Sequence, residues 1–176
     1  MERENKVIPE CYVDTNLMNV LLEKLCNHQK GCTTVCKTLD ERLRDEFAIA
    51  VIDKDKREPK AVEEFELIGS AKGLHVSKHR SRPHYMLQID PAVEVFIMDA
   101  AEELGVNLAD FELPTELNAL RKKTKTVSAK EDEKFARLFR SLRGATNMRR
   151  LEGVLRYLLD ARYTASAEEV RKLLER

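Results

Sequence analysis

What the sequence lacks already excludes several classes of protein. No apolar run approaches the roughly 18 residues of a membrane helix, and no apolar segment follows the charged stretch Met1–Lys6, so no secretory signal is read. No internal repeat and no low-complexity tract is present. Cysteine is confined to Cys11, Cys26, Cys32 and Cys36, all in the first quarter of 176 residues. A disulfide framework would be spread more widely and belongs to oxidising compartments, so reduced thiols in a cytoplasmic protein are expected. Net charge is also missing, with 31 Lys and Arg against 31 Asp and Glu.

That zero conceals a division. Residues 1–120 hold 15 basic and 23 acidic side chains, a balance of −8; residues 121–176 hold 16 and 8, a balance of +8. Such asymmetry signals interaction, often with a polyanion. The plain alternative is an acidic domain docked to a basic one. The expected division is an α/β domain over 1–120 and a basic helical extension over 121–176.

Residues 5–13 read as a strand entering a loop, with Asp14 or Thr15 opening a helix that carries Leu17, Val20, Leu21 and Leu25. A second helix is expected over about 33–45. Phe47–Ile52 is a short continuous apolar run, the pattern of a strand buried on both faces. Two more strands are expected at 74–78 and 84–89, then a helix from Pro91 to Leu104 ended by Gly105. Ser128 and Glu131 form a capping-box pattern for a helix to Arg143; further helices follow over about 147–161 and from Ser166. The order strand, helix, helix, buried strand predicts a mainly parallel sheet flanked by helices, with an all-α C-terminal extension.

In such sheets ligands sit at the carboxyl ends of the strands. Glu10 falls at the end of the first expected strand, Asp14 opens the next helix, and Asp53 and Asp55 end the buried strand. Carboxylates crowded together need a cation to remain ionised. All-oxygen ligands suit Mg²⁺ or Mn²⁺, and the chemistry expected is metal-assisted phosphodiester hydrolysis. An Asp-x-Asp in a solvated turn beside Lys54, Lys56 and Arg57 is the structural alternative.

Glu10-Cys-Tyr-Val-Asp14 with its leucine-rich helix resembles the first motif of Toprim (topoisomerase–primase) domains, most closely the RloB-like and overcoming-lysogenization-defect nuclease branches. Ala48-Ile-Ala-Val-Ile-Asp-Lys-Asp55 resembles their second motif, and Asp90-Pro-Ala-Val-Glu94 a helix start that follows the core motifs. The resemblance spans about 6–104. It implies a Toprim-type sheet and Mg²⁺-dependent nucleic-acid cleavage in a phage-defence or mobile-element setting, with a partner ATPase or self-association. Glu10 would bind metal or act as general acid or base, Asp53 and Asp55 would hold the metal, and Asp14 and Glu94 would support them. The chain has Cys11 where the family usually has glycine, and only 26–31 remains for the strand between the first two helices.

For phosphate contacts the sequence offers Lys54, Lys56, Arg57, Arg80 and Arg82, and on the C-terminal helices Arg137, Arg140, Arg143, Arg149, Arg150 and Arg156. Other readings stand beside the nuclease. Tyr12-Val-Asp-Thr-Asn16 resembles the opening of PIN-domain ribonucleases, with Asp14 as first ligand and Asp99 as a later one. Cys26, His28, Cys32 and Cys36 have zinc-ligand chemistry in an unusual spacing, and the burial habit of free cysteine ranks zinc behind magnesium. His75, His79 and His84 surround an expected strand pair and read as exposed or nucleic-acid-facing. A degenerate Toprim-like module that binds without cutting is the non-enzymatic reading.

Overall fold

The computed structural model describes residues 2–54 and 59–176. Strands are β1 (Arg3–Glu4), β2 (Val7–Pro9), β3 (Leu25–Cys26), β4 (Ala48–Asp53), β5 (Phe65–Ala71), β6 (Leu74–His79) and β7 (His84–Ile89). Helices are α1 (Tyr12–Leu22), α2 (Cys32–Lys37), α3 (Val93–Leu104), α4 (Leu117–Thr124), α5 (Glu133–Leu142), α6 (Thr146–Ala161) and α7 (Ala167–Glu175). The chain is mixed α/β. Its main sheet has the order β2-β4-β7-β6-β5, and β1 pairs with β3 in a small parallel sheet. The strand between α1 and α2 is thus trimmed to the two residues of β3.

The main sheet is parallel only in part. Strands β2, β4 and β7 run parallel, whereas β6 is antiparallel to β7 and β5 is antiparallel to β6. The carboxyl ends of β2, β4 and β7 therefore lie along one edge. Asp53 aligns with Ile89, and Pro9 with Val51, two residues before Asp53.

Burial on both faces accounts for the apolar run in β4. Ile49 and Val51 enter the larger core beside Val7, Leu17, Leu87 and Phe96. Ala48, Ala50 and Ile52 enter a smaller one with Ile8, Val35, Leu39 and Met86. Alternate side chains of a strand point to opposite faces, so no position in β4 is left for a polar residue until Asp53.

The larger core continues without interruption past residue 120. Phe135, Phe139, Leu151, Leu155, Leu158 and Leu174 share it with sheet residues Val76, Tyr85 and Leu87. Strand β5, which has no clean alternation, is held where α7 crosses it. A Cβ on Gly69 would stand 2.8 Å from Leu174 Cδ1, so the glycine lets the helix lie close against the strand.

Several helix boundaries differ from expectation for local reasons. Cys11, rather than Asp14 or Thr15, caps α1: its Sγ accepts from the Asp14 N–H at 3.4 Å, and its own N–H donates to Asp14 Oδ2 at 3.3 Å. This reciprocal box places Asp14 inside the first turn, fully buried. The Ser128 pattern yields only a 3₁₀ turn over Val127–Lys130, and α5 starts at Glu133 under an Asp132 cap. The second helix ends α-helical at Lys37 and continues as a π-turn over Thr38–Arg42. Pro91 precedes α3, which begins at Val93.

Buried Asn16 ties α1 to this region, donating through Nδ2 to the carbonyls of Ala129 (2.9 Å) and Asp132 (3.0 Å). Asn16→Ala strands both acceptors. A loss of about 1–3 kcal/mol is expected in denaturant titration; a change under about 0.5 kcal/mol would show the two bonds to be idle.

Candidate carboxylate centre

Three parallel strands deliver acids to one edge. Glu10 follows β2, Asp53 ends β4, and Glu94 lies in the first turn of the helix that follows β7. Asp14 joins them from α1. Each is oriented by the main chain around it or by a neighbouring hydroxyl. Glu10 accepts from the N–H of Cys32 at 2.9 Å and of Asp53 at 3.4 Å. Asp53 Oδ1 accepts from the Val93 N–H at 3.0 Å. Glu94, 5% exposed, accepts from the Thr124 hydroxyl. Asp14 Oδ1 is buried with no hydrogen-bond partner.

The electrostatics follow from burial and crowding. Burial, reinforced by Asp14, Glu94 and Glu10, pushes the Asp53 carboxyl up to about 9. Burial, with Glu10 and then Glu94 adding to it, pushes Asp14 up to about 7 against the opposing hydrogen bonds from Cys11. At neutral pH Asp53 therefore keeps its proton and Asp14 keeps one in part, which relieves the repulsion among the carboxylates.

The partnerless Asp14 oxygen and the carboxylates around it are oxygen donors of the type a hard divalent cation takes. Among the described residues, no three His, Cys, Asp or Glu side chains stand in the arrangement of a ready-made metal site. Asp55 lies outside the described residues, as do Lys56 and Arg57.

The remaining sequence-selected residues are dispersed. Lys54 Nζ donates to Asp90 Oδ2 at 3.2 Å, and His75 Nε2 meets the same oxygen at 2.8 Å. Arg80 and Arg82 lie beyond the far end of the sheet, before β7 begins, and face Glu66 and Asp40. They do not reach the carboxylate edge, since six residues of β7 separate the two ends by about 20 Å. On the C-terminal helices Arg137 lies 3.8 Å from Glu112, Arg140 pairs with Glu133 at 2.6 Å, and Arg143 and Arg156 share Glu152. Arg149 reaches Thr146 at 3.5 Å. Arg150 lines a separate cavity of about 360 Å³ with Asp99, whose carboxylate pairs with Lys72 at 3.0 Å. The acid that the PIN reading needs is therefore engaged at another surface.

The candidate zinc ligands divide, with Cys32 and Cys36 hydrogen-bonded neighbours at the smaller core and His28 placed elsewhere. His28 stacks on Tyr12 at 4.8 Å and shares a hydrogen bond with Thr15, while Cys36 is buried in the smaller core. Buried His79 bonds Glu64, and buried His84 bonds the Leu43 carbonyl, so neither is surface-facing as the sequence had suggested.

The sequence reading passed over the basic stretch 121–130, which is tied to Glu94 and to α1. Thr124 in that stretch touches Glu94, and helical periodicity on α5 gave no hint of it.

Compared with protein-family models, curated proteins and solved structures, the chain matches none. No helix among the described residues is long and apolar enough to cross a membrane.

Proposed function

We propose that this chain is a Mg²⁺- or Mn²⁺-dependent nuclease of Toprim type, hydrolysing phosphodiester bonds in DNA or RNA. The observation that carries the reading is the meeting of Glu10, Asp14, Asp53 and Glu94 at the carboxyl ends of three adjacent parallel strands, where two of them bind protons far above their ordinary range. Carboxyls so perturbed by burial and by one another, on a sheet edge, are candidates for a functional site.

Glu10, Asp14 and Asp53 would hold the ion, with Asp55 beside them in sequence. When bound, the ion supplies charge neutralisation at phosphate and a nucleophile at neutral pH. The protein's part is orientation. The Cys32 and Asp53 amides fix Glu10, the Val93 amide fixes Asp53, and the Thr124 hydroxyl fixes Glu94. Glu10, as the strand-end carboxylate, is the residue for ligation or proton transfer. The phage-defence setting and a partner ATPase belong to the same proposal, through the resemblance of the motifs.

Plasmid DNA and RNA incubated with Mg²⁺ or Mn²⁺ test it. Wild type is expected to cut, and Asp53→Ala and Glu10→Ala to lose at least about 100-fold, since changes one shell beyond a metal already cost 10–100-fold. Equal cutting by all three proteins, or none by wild type, contradicts the nuclease; binding without cutting would favour the non-catalytic module.

A further inference from the structure

Residues 121–130 read Arg-Lys-Lys-Thr-Lys-Thr-Val-Ser-Ala-Lys, five cations without a carboxylate. The stretch is pinned at two places to the elements that carry the acidic centre. Thr124 donates to Glu94, and Asn16, two residues past Asp14 on α1, holds the Ala129 carbonyl. Lys123 is engaged by Asp132 at 2.9 Å. Among the described residues, Lys122, Lys125 and Lys130 form no ion pair, unlike Arg137, Arg140, Arg143 and Arg156.

A fourth cation approaches from the opposite side. The loop before α2 is tied to Glu10 by the Gly31 N–H on its carbonyl, at 3.3 Å, and by the Cys32 N–H on its carboxylate. Exposed Lys30 in this loop stands 5.8 Å from the Tyr12 ring centroid. His28, stacked on that ring, has its pKa lowered by burial and then by Lys130 and Lys30, so both lysines lie within electrostatic reach of one imidazole. The segment that carries Lys122, Lys125 and Lys130 is thus tied to Glu94, and the loop that carries Lys30 to Glu10.

Unpaired lysines gathered on one surface repel one another, and a polyanion relieves that repulsion. Lysine presents a mobile point charge rather than a fork, which suits phosphate oxygens and carries no base readout. We infer that Lys30, Lys122, Lys125 and Lys130 form a phosphate track that leads a nucleic-acid backbone across the carboxylates. The inference rests on the nuclease reading for its substrate and names a surface that reading does not require.

The test is fluorescence anisotropy with a labelled 20-nucleotide single strand and the matching duplex, in EDTA so that binding is separate from metal-dependent cutting. Lys122→Gln/Lys125→Gln/Lys130→Gln is compared with Arg137→Gln/Arg140→Gln, after thermal melts confirm that both fold. The triple variant is expected to bind at least tenfold more weakly at 100 mM salt. Its slope of log affinity against log salt should be shallower by about 2–3, from 0.7–0.9 per lost phosphate contact. The arginine variant should remain within twofold of wild type. No binding by wild type, an unchanged triple variant, or equal losses in both variants overturns the track. The two proposals separate cleanly. Lysine-dependent binding without cutting keeps the track and removes the nuclease. Cutting with an unchanged KM in the triple variant does the reverse.

Discussion

Metal-free Asp53→Asn protein is expected to be more stable than wild type at pH 8 and indistinguishable from it near pH 4. Burial, followed by Asp14, Glu94 and Glu10, raises the folded-state pKa of Asp53 to about 9, while an unfolded aspartate titrates near 3.9. Between those values the folded chain keeps a proton that the unfolded chain has released. Stability therefore falls as pH rises from about 4 to about 9, the opposite of the usual salt-bridged aspartate. Asparagine keeps an oxygen for the Val93 N–H and has nothing to ionise. Each pKa unit corresponds to about 1.4 kcal/mol. A gain of at least about 1 kcal/mol at pH 8 is expected, or about 2–4 °C in Tm for a chain of this length. Melts at pH 4, 6 and 8 check it. A variant less stable than wild type at pH 8 would mean that Asp53 is ionised and already compensated.

Mg²⁺ is expected to bind more tightly as pH rises and to expel protons as it does so. At pH 7.5 Asp53 is mostly protonated and Asp14 partly so, given their values of about 9 and about 7. A cation ligated by these oxygens must displace those protons. Apparent affinity should climb by up to about tenfold per unit between pH 7 and 9 and level off above. Calorimetry in two buffers of different ionisation enthalpy should count at least one proton released per ion at pH 7.5. The Asp53→Asn protein should lose most of both effects. Binding that is independent of pH and of buffer would place the ion elsewhere.

The acidic centre was legible because strand ends can be read. The run Phe47–Ile52 fixes where β4 stops, and the stop is Asp53; likewise Pro9 ends β2 and leaves Glu10 at the edge. The burial of Asp14 was not legible. It depends on a cysteine acting as an N-cap, a choice outside the usual Ser, Thr, Asp and Asn. Strand β5 was hidden for a different reason. Its sequence Phe-Glu-Leu-Ile-Gly-Ser-Ala lacks alternation, and it is packed by α7, about a hundred residues away.

The basic surface shows the same limit more sharply. Helical spacing marks Arg137 and Arg140 as one face, yet their acidic neighbours Glu112 and Glu133 are set by tertiary packing and by the helix itself. The basic stretch 121–130 owes its place to two hydrogen bonds, Thr124 to Glu94 and Asn16 to Ala129, that bridge 30 and 113 residues. The +8 balance after residue 120 is therefore partly neutralised by local pairing and partly gathered beside the acids. Local pattern reports composition and periodicity; it does not report which charges long-range contacts leave unpaired.

Anomalous diffraction from crystals soaked in Mn²⁺ at pH 8 tests the central claim most directly. A peak is expected at the edge formed by β2, β4 and β7, with oxygens of Glu10, Asp14 and Asp53 drawn to about 2.0–2.2 Å from it. The peak should disappear in Asp53→Asn crystals treated in the same way. Manganese bound only at other surfaces, with these carboxylates still turned to their amide donors, would contradict the account.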